Sequence, residues 1–305
     1  MANTQPHRVR SITEYHQLRG LPGPEHPLIS VLNFDELEQR AGSHTSLVLD
    51  YYSIALKRNF GSGLKYHYGQ QSYDFDEGTM FFIAPGQVFS VEAATGYKLS
   101  GWMLLVHPDF LWNTPLAKAI KQYEYFNYAV HEALFLSEKE EATITGMMQS
   151  IQQEYRANID KFTQSLIIAQ VEVLLTYADR FYHRQFITRN KANHEILGRL
   201  EALLDGYFSS DALAENGLPT VQQVADSLNV SPNYLSGMLK TLTGQSTQQH
   251  IHNKLIDKAK EQLSTTGLSV SEIAFALGFE HSQSFSKLFK SKTGVSPVAF
   301  RQSFN

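Results

Sequence analysis

Cysteine is absent from all 305 residues. That absence excludes a disulfide framework, a Cys-ligated zinc or iron–sulfur centre and a thiol nucleophile. No uninterrupted apolar run approaches the ~20 residues a membrane helix needs, and the opening MANTQPHRVR lacks the apolar core of a secretory signal. A cytoplasmic protein with no membrane partner is expected. Charge is also modest, with 26 basic against 30 acidic groups, but it is unevenly placed. Residues 216–305 hold 8 basic and 5 acidic groups, whereas the remainder is acidic. A mildly basic tail on an acidic body suggests a negatively charged partner for the tail, and nucleic acid is the first candidate.

Catalytic signatures are missing too. His131-Glu132 lacks the second histidine of H-E-x-x-H, because Phe135 stands in its place, and Gly61-Ser62-Gly63 runs into Leu64 rather than the spacing of a nucleophile elbow. The expectation is a protein that is not an enzyme and needs no cofactor or metal.

What is present falls into three textures. LPGPEHP (21–27) excludes a regular helix and reads as an extended lead-in. From about 46 to 107, short runs rich in aromatic and β-branched residues are separated by turn signals at 61–63, 76–78, 85–86 and 95–96, the pattern of an antiparallel sandwich or small barrel. Beyond Pro115 the period becomes helical. Ser137 and Glu140 form a capping box before a stripe at Ile144, Met147, Met148 and Ile151. Asp160 opens a second helix through Leu166, Ile167, Val171, Leu174 and Leu175. These stripes pack either on their own domain or on a second copy, so the segment is a candidate homodimer interface. The polar run RQFITRNKANHE (184–195) reads as an interdomain linker.

An internal repeat is the strongest signal. Thr220…Gln223 and Ser269…Glu272 are capping boxes 49 residues apart, and the helices they open carry matching stripes, Val221, Val224, Ala225, Leu228 and Val270, Ile273, Ala274, Leu277. With one extra residue in the second turn, LSGMLKTLTG (235–244) aligns with FSKLFKSKTG (285–294), each ending at a glycine suited to a left-handed C-cap. Each unit (220–244 and 269–294) is therefore a helix-turn-helix. Ile251, Leu255, Ile256, Ala259 and Leu263 mark one face of a longer helix holding the two apart. Such a rod would present its two readers to successive major grooves, roughly 34 Å apart. At 100° per residue, the outer face of the first reader holds Asn233, Ser236, Gly237 and Lys240, and that of the second Ser282, Gln283, Ser286, Lys287 and Lys290. Amide and ammonium groups suit base edges and phosphates.

The residues of the second unit, Ile273-Ala274, Gly278-Phe279, Ser284-Phe285-Ser286, Phe289-Lys290, Thr293-Gly294, Ser296-Pro297 and Phe300-Arg301, make the tail from about 195 to 305 resemble the DNA-binding domain of AraC/XylS-family transcriptional regulators. The resemblance implies an α+β chain. A cupin-like antiparallel β-barrel (1–130) would bind a small effector, a helical segment (131–190) would dimerise, and an all-α domain (195–305) would bind promoter DNA and work with RNA polymerase, usually as an activator. Gly237 departs from the long polar side chain common at that place, shifting weight to Asn233 and Ser236. In the barrel, Lys65-Tyr66-His67-Tyr68 lacks the histidine pair of a metal cupin, so Tyr66, His67, Tyr68 and Phe82 are taken as candidate effector-binding residues and no metal is expected. Two other functions stay open. The amino-terminal domain could only dimerise, making the chain a constitutive DNA-binding protein, or it could be a cupin-type enzyme with a DNA-binding tail. A methyl-accepting DNA-repair regulator, which shares this tail, would require an acceptor cysteine.

Overall fold

The computed structural model describes residues 6–37, 45–58, 64–68, 71–73, 78–93, 100–129, 132–188, 190–210, 213 and 216–303. The expected turns at 61–63 and 95–96, and His131, lie outside these residues. The chain forms two compact units, Met1–Gln185 and Phe186–Asn305. Their boundary falls inside the polar stretch 184–195, most of which is helical.

In the first unit, β1 (His7–Val9) and α1 (Ile12–Arg19) lead to β2 (Ile29–Asn33), β3 (Thr45–Leu49), β4 (Tyr52–Arg58), β5 (Leu64–Tyr68), β6 (Gln71–Tyr73), β7 (Thr79–Ile83), β8 (Val88–Ala93) and β9 (Ser100–Val106). After α2 (Leu116–Ala119) come β10 (Leu134–Phe135), α3 (Glu138–Arg156) and α4 (Thr163–Thr188). The strands form two five-stranded sheets, in the orders β1-β3-β8-β5-β6 and β10-β7-β4-β9-β2. Among the described residues the strand pairings are antiparallel except β1 with β3. Among the described residues neither sheet closes on itself, which corrects the expected barrel. Closure would require the edge strands of a sheet to pair. The three-residue β1 and β6 and the two-residue β10 each hold a single neighbour instead.

The proline-rich lead-in is preceded by a short helix. Ser11 caps α1 by accepting from the Glu14 amide, and Gly20 closes it in the left-handed conformation at φ 63°. His16 ties the lead-in to this helix, its Nδ1 bonded to the Pro22 carbonyl and its Nε2 2.9 Å from Ser30 Oγ. A carbonyl can only accept, so Nδ1 carries a proton and donates it to Pro22.

Strand alternation gives the second sheet two different faces. Tyr52, Ile54 and Leu56 of β4 share a face with Met80 and Phe82 of β7 and Trp102 and Leu104 of β9. Arg58, on the same face, pairs with Glu141 and donates to Thr145 Oγ1 at 2.6 Å, both on α3. The opposite face meets the first sheet: Val9, Leu47 and Leu49 are in one buried cluster with Ile12, Tyr15, Leu32, Tyr51 and Leu105. The capping box of α3 forms as its sequence implies, and Arg184 of α4 pairs with Glu140 at 2.7 Å. Asp160 lies just outside α4, accepting from the Phe162 and Thr163 amides at 2.7 and 3.0 Å. No helix of the described residues is long and apolar enough to cross a membrane.

The second unit contains α5 (Asn190–Ser209), α6 (Val221–Leu228), α7 (Pro232–Thr243), α8 (Thr247–Thr265), α9 (Val270–Ala276), α10 (Ser282–Thr293) and α11 (Pro297–Gln302). The two units of the repeat are α6-α7 and α9-α10, and α8 packs against elements of both. Ile251, Leu255, Ile256, Ala259 and Leu263 of α8 are all buried. Burying each such large aliphatic side chain stabilises the domain by about 1.5–3 kcal/mol.

Candidate nucleic-acid interface

The same devices build both units. Thr220 and Ser269 each accept from the backbone amide three residues on, while Gln223 and Glu272 return the bond to the cap amide. The second helices of the two units, α7 and α10, both end in left-handed glycines, Gly244 at φ 73° and Gly294 at φ 80°. Leu235, Met238 and Leu239 are buried on α7, and Phe285 and Phe289 at the matching places on α10. The second core is aromatic, with ring centroids 5.5 Å apart for Phe279–Phe285, 5.8 Å for Phe285–Phe289 and 5.5 Å for Phe289–Phe300.

The turns differ. In the first unit Asn229 takes the left-handed conformation at φ 57°, which asparagine tolerates. The matching Gly278 has φ 78°, and a Cβ there would lie 2.8 Å from both Gly217 Cα and the Leu213 carbonyl oxygen. The segment between α5 and α6 thus seats against the second turn, where only glycine fits.

The outer faces differ more. On α7, Asn233, Ser236 and Gly237 are half-buried and Lys240 is exposed. The Ser236 hydroxyl lies 3.0 Å from Thr247 Oγ1 at the start of α8, and Thr247 is fully buried. That bond joins a reading helix to the rod behind it. On α10, Gln283, Lys287 and Lys290 are exposed, while Ser282 and Ser286 are half-buried. The place matching Thr247 is Pro297, which has no hydroxyl to offer Ser286. Ser284, not among the expected contacts, is exposed one residue beyond Gln283, and Lys292 is exposed near the end of the helix.

The helix starts also differ. Ser231 caps α7, accepting from the Tyr234 amide at 3.2 Å, whereas His281 makes no side-chain cap on α10. First-turn amides of this kind can bind a phosphate. The histidines of α8 add little positive charge near neutral pH. Burial lowers the pKa of His250 against an opposing pull from Glu201, and burial followed by the Lys292 charge lowers that of His252. The cationic character of this surface therefore rests on its lysines.

The expected effector residues lie in the first unit. Tyr66 and His67 of β5 pair with Val91 and Ser90 of β8. Strand alternation places positions 66 and 68 on one face of β5 and position 67 on the other. The side chains of Tyr66, His67 and Tyr68 are outside the described residues. Phe82 is packed among Tyr125, Phe126 and Tyr182, with centroids 4.5, 5.6 and 6.2 Å away. It lies on the face of the second sheet turned away from the first.

A family model described as a helix-turn-helix domain matches residues 224–303. YfiF, an uncharacterized HTH-type transcriptional regulator of Bacillus subtilis (strain 168), is 25% identical over 239 residues, covering 76% of this chain and 71% of its own length. The HTH-type transcriptional activator RhaS of Enterobacter sp. (strain 638) is 26% identical over 255 residues, covering 83% of this chain and 86% of its own length. The C-terminal domain of AraT, a response regulator from Geobacillus stearothermophilus, is a solved structure with 35% identity that covers 35% of this chain and 84% of that one, at a TM-score of 0.31. Residues 224–303 are an AraC-type helix-turn-helix domain. The raffinose operon transcriptional regulatory protein RafR of Pediococcus pentosaceus is 37% identical over 84 residues, 28% of this chain and 30% of its own length. That higher-identity match spans 84 residues, while the lower-identity matches, at 239 and 255 residues, are longer than the second unit and so run into the first as well.

Proposed function

We propose that the protein is a promoter-binding transcriptional regulator, an activator like RhaS, in which α10 supplies most of the base readout and the first unit binds a small effector and joins two copies. The observation that carries the proposal is the duplicated helix-turn-helix on a shared rod, with an exposed row of Gln283, Lys287 and Lys290 on the second reader. Gln283 can pair with adenine, and Lys287 and Lys290 can reach guanine O6/N7 or phosphate. Lys240 is the exposed cation of the first reader, and Asn233 adds an amide beside it. The two units would enter successive major grooves of one promoter face, from which the bound protein would recruit RNA polymerase.

Dimerisation is supported by apolar side chains left exposed on and beside α4: Ile159 is 66% exposed, Phe162 56%, Leu166 48% and Val173 49%. Leu166 and Val173 are two helical turns apart on one side of α4. An effector bound in the first unit would shift the chain between two arrangements by no more than its differential affinity for them.

Genome-wide footprinting of the protein, followed by titration on the strongest site at two salt concentrations, tests this function. A compact site of about two duplex turns with affinity falling steeply as salt rises is expected. The absence of any enriched site would overturn it.

A further inference from the structure

We propose that Arg301 is a positioning residue: by tying α11 to the end of the rod α8, it fixes the second reading helix relative to the first and so selects the half-site spacing that the protein accepts. This rests on the reading of the two units as DNA readers and names a residue, outside both reading faces, that sets their separation.

The two readers are attached to the rod in different ways. α7 packs on α8 directly, is joined to it by the three residues 244–246, and is bonded to it through Ser236 and Thr247. α10 packs on α9 and α11, and each of those packs on α8. Pro297, at the place of Thr247, offers α10 no hydroxyl. The position of the second reader therefore follows from how α9 and α11 sit on the rod. α9 buries Ile273 and Ala274, side chains whose packing is non-directional. A directional tie comes from α11.

Phe300 and Arg301 are neighbours on α11 and serve the two sides of the joint. The Phe300 ring meets Phe289 of α10 edge-on at 5.5 Å, and Arg301 Nε donates to the Leu263 carbonyl at 3.2 Å. Leu263 lies in the last turn of α8, where the carbonyls lack intrahelical partners and the helix end carries a partial negative charge. A guanidinium suits that end, since it is always charged and its donors lie in one rigid plane. Part of its capacity is unused. Arg301 Nη2 and the Oε1 of Gln262, one residue before Leu263, are both buried without a hydrogen-bond partner, a donor and an acceptor at the same end of the rod. Leaving such groups unpaired costs free energy. A slight settling of α11 that joined them would hold Arg301 at two points and fix rotation as well as distance.

Rotation matters because the duplex is helical. One base pair added between two half-sites moves the second by about 3.4 Å and turns it by roughly 34–36°. A stiff joint follows one spacing, whereas a loose one tolerates its neighbours.

The test is a titration of the full chain on its footprinted site and on versions with one base pair added or removed between the half-sites. The parent should favour the native spacing by about tenfold or more. Arg301→Met keeps an unbranched stem and removes every donor, and should bring that preference to about threefold or less. Arg301→Lys, which keeps the charge and one donor group, should fall between. Ser269→Ala weakens the second unit at a cap away from the joint and should keep the parent preference, which separates positioning from stability. An unchanged spacing preference in the Arg301 variants that fold overturns the inference, as does loss of the fold in both. A uniform loss on all spacings with a shallower salt dependence, the mark of a phosphate contact, overturns it too, and so does a parent indifferent to spacing. A protein with no specific site at all overturns the regulator reading itself, and this joint with it.

Discussion

The two helix-turn-helix units share a frame but not a surface. Both open on a reciprocal capping box and close on a left-handed glycine. In the first, however, Ser236 is bonded to the buried Thr247, and Lys240 is the exposed cation of its reader. In the second, Pro297 replaces the threonine, and Gln283, Lys287 and Lys290 stand in solvent. Capping and core packing thus conserve the shape of a reader. The polar side chains that internal packing leaves in solvent are where the two units differ.

The largest expected effects fall in the two cores. Phe285→Ala should cost about 3–5 kcal/mol by leaving a cavity beside Phe279 and Phe289, whereas Leu235→Ala at the matching place should cost about 2–5 kcal/mol. Urea titration of the full chain checks both. A loss under about 1 kcal/mol at Phe285 would contradict its place at the centre of the ring chain.

Next comes the turn. Gly278→Ala combines a left-handed backbone, which costs an ordinary residue about 1–2 kcal/mol, with a clash against Gly217 and Leu213 worth about 1–3 kcal/mol. Asn229→Gly should instead change stability by under about 1 kcal/mol. Thermal unfolding of the pair measures the asymmetry directly.

On DNA, Lys287→Ala should weaken cognate binding by about 1–3 kcal/mol if it reads a base, with a smaller loss on unrelated duplex. Ser236→Ala should act on stability instead, by about 1 kcal/mol through the lost bond to Thr247. The smallest effects should be alike in the two units: Thr220→Ala and Ser269→Ala each remove a cap, at about 1 kcal/mol. A marked difference between those two would break the claim of a shared frame.

Most of that frame is legible in the sequence because it is local. Capping boxes, terminal glycines and the Ile251-to-Leu263 stripe are set by residues three to eight apart, and the structure places them as their spacing implies. Ser11 and Gly20 were equally local signals for α1, overshadowed by the proline-rich stretch that follows. What could not be read depends on distant partners. Strand pairing decides between an open sheet and a barrel, and the short edge strands give no sign of where they will pair. Met-Phe-Phe (80–82) says nothing about which phenylalanine turns inward. The neighbours that β7 finds in β4 and β10 place Phe82 among the aromatics of the helical side and Phe81 over Lys57. The Ser236–Thr247 bond spans a helix junction in the same way.

The measurement that bears most directly on the central claim is a side-by-side titration of the parent, Lys287→Ala and Ser236→Ala on the cognate site and on unrelated duplex at one salt concentration. If the second unit carries the base readout, Lys287→Ala loses about tenfold or more of the ratio between the two duplexes, and Ser236→Ala keeps the parent ratio. An unchanged ratio in Lys287→Ala, or an equal loss in Ser236→Ala, would contradict the account.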